Sequence, residues 1–239
     1  REAITDARGL MAETNVGPNP GQNAGDTTAI AKAIADATTM YNEGMASDAE
    51  IDQMIEQLKA ASEEFAAQDH SMNPVTDGYY YILSANYTWY DSSIEQDRIT
   101  GMYATNNSQL KWGLFEEKTP DYLFHITDNG NGTFSVQNVK YLNYMDTYSQ
   151  ADQTVLMTAE QQTGQTFKYL ERERWNISNS TDITAYNLQT YGHDTGGSIR
   201  LADGDANSNA AWLLVKLTDQ QLIDSIVQAG AQDLSLIHI

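Results

Sequence analysis

Cysteine is absent from the 239 residues, which removes disulfides, thiolate nucleophiles and Cys-ligated metals together. Basic residues are scarce: 13 Lys and Arg stand against 33 Asp and Glu, a formal net charge of -20. That summed field repels the phosphates a nucleic-acid binder must neutralise, and an anionic membrane face equally. No apolar run approaches the roughly 20 residues a membrane-spanning helix needs, so this stretch is not expected to insert in a membrane. Catalytic patterns are missing too. There is no His-Glu-x-x-His, no Gly-x-Ser-x-Gly and no phosphate-cradling glycine loop, and His70, His125, His193 and His238 are scattered. Glu116, Glu117, Glu171 and Glu173 read as solvated charge. The run from Asp203 to Asn209 fails as a calcium loop, because its sixth position is Ser208 where the turn wants Gly and its twelfth is Leu214 where a bidentate Glu is required. No catalytic residue, metal or cofactor is expected.

What is present divides the chain in two. Over the first 70 residues apolar side chains recur at steps of three or four: Ala3, Ile4, Ala7, Leu10 and Met11; Ile30, Ala33, Ile34, Ala37 and Tyr41; Ile51, Met54, Ile55, Leu58, Ala61 and Phe65. Val16 to Gln22 is a breaker cluster, and Ser47-Asp48-Ala49-Glu50 is a capping box that starts the third stripe. The spacing predicts a small three-helix bundle over residues 1–70. Residues 71–78 form a linker, at which Ala thins out, Tyr, Asn and Gly become frequent and the period drops to two.

Residues 79–217 then read as short alternating runs divided by Asn, Asp and Gly turns. The runs recur. Leu123 to Ile126, a turn at Asn129 to Gly132, Phe134 to Asn138 and Tyr141-Leu142-Asn143 close on Gln165-Thr166-Phe167; Arg174 to Ile177, a polar turn, Tyr186 and Leu188-Gln189 close on Ala211-Trp212-Leu213. A divergent first copy runs from Tyr79 through Met102-Tyr103-Ala104 to Lys111-Trp112-Gly113-Leu114. Three copies ending in Trp112, Phe167 and Trp212 predict a β-trefoil, so the expected fold is multidomain, α then β. Residues 218–233 are helical by period, either a helix packed on the trefoil or the start of a further domain. The chain begins at Arg1 inside a helical pattern, and residues 234–239, Leu234-Ser235-Leu236-Ile237-His238-Ile239, match what a transposon-end sequencing adapter encodes. The expectation is a fragment with adapter sequence appended.

Two resemblances follow. Through Ala3-Ile4, Ala7, Ala33-Ile34, Ala37, Pro20-Gly21-Gln22 and the stripe from Ile51 to Phe65, the first 68 residues or so resemble FIVAR-type helical modules, which implies a spacer or interaction module on an exported bacterial protein. Through its three copies the β region resembles the ricin-type lectins, whose repeats end in Gln-x-Trp. Gln165-Thr166-Phe167 alone keeps the Gln, and Asn143 and Gln189 stand where those lectins carry Asp. The implied partner is a glycan or polysaccharide. A sugar site needs a flat aromatic and amides or carboxylates fixed beside it. The first copy offers Trp89, Tyr90 and Asp91 beside Asn86; the second offers Asn143, Asp146, Tyr148, Gln150 and Asp152; the third offers Gln189, Tyr191, His193 and Asp194. The expected function is a non-catalytic carbohydrate-binding module, extracellular or at the cell surface. The alternatives are a structural or protein-binding spacer that has lost its sugar sites, and the accessory region of a glycoside hydrolase with further domains elsewhere in its chain.

Overall fold

A computed structural model describes residues 1–147, 154–178, 186–192, 196–203 and 208–236, and the chain divides into two compact units, Arg1–Asn73 and Pro74–Ile239. The first unit holds α1 (Glu2–Thr14), α2 (Thr28–Glu43) and α3 (Asp48–Ala66). Each helix stops for a local reason. Asn15 ends α1 in the left-handed region, and Gly44 does the same for α2 at φ 65°, donating its N–H to the Met40 carbonyl. The capping box forms: the Ser47 hydroxyl accepts from the Glu50 N–H, and the Glu50 carboxylate accepts from the Ser47 N–H at 2.8 Å. Ala7, Ile30, Ile34, Ala37, Leu58 and Phe65 are buried together between the helices. Three members of the apolar stripes, Tyr41, Ile51 and Ile55, stay exposed.

Among the described residues the second unit has twelve strands in three sets of four: β1 (Gly78–Asp91), β2 (Gln96–Ala104), β3 (Leu110–Leu114) and β4 (Leu123–Asp128); β5 (Phe134–Asn138), β6 (Tyr144–Met145), β7 (Met157–Thr158) and β8 (Thr166–Tyr169); β9 (Arg174–Ser178), β10 (Tyr186–Tyr191), β11 (Ser198–Asp203) and β12 (Trp212–Leu217). The outer strands of the sets close a six-stranded barrel. β1 pairs with β12 and β4, β4 with β5, β8 with β9 and β9 with β12, while Phe134 and Gln165 exchange backbone bonds of 2.8 and 3.2 Å to join β5 to β8. The inner strands form three hairpins over one end, tied together where Leu110 N–H donates to Val155, Val155 N–H to Ile199 and Trp112 N–H to Gly197. A closed barrel with a cap of three hairpins is a β-trefoil. Full closure leaves no barrel edge to template aggregation.

This strand order corrects the register of the repeats. The final strands of the three copies are β4, β8 and β12, so the closing aromatics are Phe124, Phe167 and Trp212. Trp112 belongs to the first hairpin, on β3, and Leu123 to Ile126 end the first copy instead of opening the second. Phe124, Trp112 and Trp212 are all fully buried in one core with Tyr80, Ile82, Leu110 and Ile177. In the first copy β1 and β2 run on past the cap as a longer hairpin, Thr88–Asp91 against Gln96–Ile99, after an irregularity between Leu83 and Thr88. That insertion stretches the first copy and hides its match to the others.

A last helix, α4 (Gln220–Leu236), begins at Asp219, whose carboxylate accepts from the Gln221 and Leu222 N–H groups. It packs on the trefoil, burying Ile226 against Tyr81, Leu83, Tyr122, Leu123 and Val139. Among the described residues no helix is long and apolar enough to cross a membrane.

One barrel residue makes stability pH-dependent. His125 on β4 stacks on Tyr79 with ring centroids 4.7 Å apart, and burial pushes its pKa below the ordinary imidazole value, against a smaller upward pull from Asp77. The unfolded chain then takes up the proton first, so the contribution is intact above about pH 6.5 and is lost as pH falls towards the folded-state pKa. Urea midpoints taken between about pH 7.5 and 5.5 are expected to fall for the wild type and to fall less for His125→Gln.

Candidate functional site

The third hairpin presents the best-defined group of candidate residues. In β10 and β11 the inward positions Leu188, Thr190, Ile199 and Leu201 are buried. Alternation turns Gln189, Tyr191, Ser198 and Arg200 to the other side. The register pairs Gln189 with Arg200 and Tyr191 with Ser198, so all four share one face. The Arg200 guanidinium carbon lies 3.6 Å from the Tyr191 ring centroid, a cation–π stack that holds the ring flat while 47% of the residue stays exposed. Arg200 Nε is buried and has no hydrogen-bond partner among the described residues.

Two core tryptophans position this hairpin. Trp112 donates its indole N–H to the Tyr191 carbonyl at 3.0 Å, and Trp212 donates its own to the Leu188 carbonyl at 2.8 Å. Gly196 N–H donates to the Trp112 carbonyl and Trp112 N–H to the Gly197 carbonyl, bracketing the Trp112 backbone from the two residues before β11. The Tyr191 platform is therefore anchored on the central packing of the trefoil and does not hang from a free loop.

In the second copy Asn143 follows β5 and Asp146 follows β6. The Asn143 carbonyl accepts from Asn138 N–H at 2.9 Å, while its side-chain Oδ1 is buried with no partner among the described residues. Asp146 takes the Thr147 N–H at 2.8 Å, and Thr147 donates its hydroxyl to Gln162. Tyr148, Gln150 and Asp152 of the second copy, and His193 and Asp194 of the third, lie outside the described residues.

In the first copy Trp89, Tyr90 and Asp91 lie on strand β1, not in a loop. Alternation puts Trp89 and Asp91 on one face, opposite Arg98 and Gln96, and Tyr90 on the other, opposite Asp97. The Asp91 carboxyl is held below the usual carboxylate range, chiefly by the Ser93 hydroxyl and N–H, with Arg98 at 3.5 Å adding to the effect. Tyr90 is 58% exposed and Trp89 half-buried, so the face that Trp89 shares with Asp91 does not include Tyr90.

Sequence alone does not single out Arg200. The alternation Ser198-Ile199-Arg200-Leu201 marks it only through the hairpin register, which sets it opposite Gln189. Among the described residues no three His, Asp or Glu side chains converge as a metal site would require.

No protein-family model matches the chain, and no curated protein matches it. Among solved structures the β unit is similar to the Rhizoctonia solani agglutinin, with a TM-score of 0.50 and 13% identity over 62% of this chain and 100% of that one. A Macrolepiota procera ricin B-like lectin in complex with lactose matches with a TM-score of 0.49 at 10% identity, covering 61% of this chain and 100% of its own. A designed 3-fold symmetric protein, ThreeFoil, matches with a TM-score of 0.48 at 13% identity, covering 59% and 100%. At such identities the likeness is one of fold alone.

Proposed function

We propose that the trefoil is a non-catalytic carbohydrate-binding module, and that the outward face of β10 and β11 is its sugar-binding surface. The observation that carries this reading is the Tyr191 ring, braced by Arg200 on the face it shares with Gln189. A sugar ring lays its apolar C–H face on a flat aromatic, while amide and guanidinium groups alongside bond adjacent hydroxyls. Sharing a fold with an agglutinin supports the reading. In our reading the module belongs to an exported bacterial protein, at the cell surface or within a polysaccharide-degrading system, consistent with the FIVAR-like pattern of the helical unit. Several copies on one chain or surface would raise weak single-site affinity by avidity.

The spacer alternative draws on one observation: Asn143 and Gln189 stand where ricin-type lectins carry Asp. Affinity electrophoresis through plant and host polysaccharides, followed by a glycan array, separates the two readings. The module is expected to be retarded by at least one polysaccharide. Tyr191→Ala should weaken that binding about tenfold, since about 60 Å² of ring face at about 25 cal/mol/Å² is about 1.5 kcal/mol. A folded protein that no glycan retards is the spacer.

A further inference from the structure

We propose that the β10–β11 face takes a carboxylate-bearing glycan, with Arg200 and Lys111 gripping the carboxylate. This rests on that face being the sugar surface and names the class of sugar it takes. Strand β3 extends the face, because Lys111 stands opposite Ser198. The Trp112 N–H donates to the Gly197 carbonyl, so Lys111 and Ser198 form a non-hydrogen-bonded pair, the kind whose side chains lie closest. Leu110 and Trp112, on either side of Lys111, are fully buried, and alternation therefore turns Lys111 outward with Ser198. Thr154 stands opposite Arg200 in the same manner, with the buried Val155 beside it donating its N–H to the Ile199 carbonyl. Lys111 then lies diagonally across from Arg200, about 7–8 Å away along the sheet.

Charge selects the ligand. The outward residues Gln189, Tyr191, Ser198, Arg200, Lys111 and Thr154 include two cations and no carboxylate, in a chain with 13 Lys and Arg against 33 Asp and Glu. Basic residues elsewhere have found acids: Lys32 pairs with Asp36, Arg98 with Asp91, Lys140 with Asp121 and Arg174 with Glu171. Among the described residues neither Arg200 nor Lys111 is in an ion pair. Stacking on Tyr191 uses the flat face of the Arg200 guanidinium and leaves the Nη edge for a ligand. That edge is the fork that meets a carboxylate through two parallel N–H bonds, each stronger than a bond to a neutral hydroxyl. Lys111 adds a second positive charge on the Ser198 side of the same ring. A neutral sugar would leave both cations unmatched. Two cations in a chain of net charge -20 suit a single carboxylate beside a sugar ring, whereas a run of phosphates or sulfates would be repelled by the rest of the surface.

The test titrates the full chain with short oligosaccharides in matched pairs: galacturonate and mannuronate trisaccharides against their methyl esters, and sialyllactose against lactose. At least one carboxylated member is expected to bind about tenfold more tightly than its neutral partner, and the gap should narrow as salt is raised. Preference within the first two pairs identifies a uronate, and within the third a sialate. Lys111→Gln should weaken the carboxylated ligand about fivefold while leaving the thermal melt and the neutral partner unmoved, since Lys111 does not brace Tyr191. Arg200→Gln should weaken it more than Arg200→Lys, which keeps the charge and loses the fork. Neutral partners bound as tightly as carboxylated ones, a preference that survives both Lys111→Gln and Arg200→Gln, or equal binding of dextran sulfate overturns the proposal. In the first case sugar binding that Tyr191→Ala abolishes leaves the sugar surface standing without its acidic ligand. A folded chain that binds no neutral or carboxylated glycan removes the sugar surface and this inference together.

Discussion

Trp212→Ala is expected to lower the free energy of unfolding of the β unit by about 3–5 kcal/mol. The side chain is fully buried in β12, which pairs with β1 on one side and β9 on the other, so it stands where the barrel closes. Truncation leaves a large cavity among packed neighbours. It also strips the Leu188 carbonyl of its 2.8 Å bond from the indole N–H, and an orphaned buried acceptor costs about 1–3 kcal/mol within that total. Domains of this size are stable by about 5–15 kcal/mol, so the variant sits near the edge of folding. Urea melts followed by near-UV circular dichroism give the measurement. Trp212→Phe keeps most of the volume and loses the N–H, and should fall between the two. A loss below about 1 kcal/mol for the alanine variant would mean that β12 does not close the barrel.

Gly197→Ala should cost about 3 kcal/mol although it adds one methyl group. A Cβ there would strike the Tyr191 carbonyl and the Trp112 indole nitrogen, the two partners of the bond that holds the platform. Neither can retreat. One is strand backbone and the other a fully buried ring, itself bracketed by Gly196 and Gly197. The substitution therefore has two readouts, a lower urea midpoint and a weaker grip on glycan, because relief comes from moving Tyr191. Full stability with full binding would show that the hairpin and β3 are not in contact as described.

Much of the architecture was legible in the residues because helix and strand periods differ. Stripes at three and four, the Ser47 capping box and the switch to alternation after Asn73 each report a local preference that packing did not override. The repeat was legible, but its phase was not. Trp112 and Phe124 are both fully buried strand aromatics close together in the chain, and alternation looks the same in a cap hairpin as in a barrel strand. The extended β1–β2 hairpin then displaced the first copy from the spacing of the others. For the site, Gln189 and Tyr191 lie two apart on one strand and could be found together, whereas Arg200 joins them only through cross-strand register. Tyr90 shows the converse, since its adjacency to Trp89 and Asp91 on a strand means the opposite face.

Titration of isotopically labelled protein with a soluble oligosaccharide from the retarding polysaccharide tests most directly whether the β10–β11 face binds sugar. If it does, amide shifts are expected to concentrate at Gln189, Tyr191, Ser198 and Arg200, together with the Trp112 indole N–H that donates to Tyr191, and to be lost in Tyr191→Ala. Shifts confined to another surface, or the same shifts surviving in Tyr191→Ala, would contradict it.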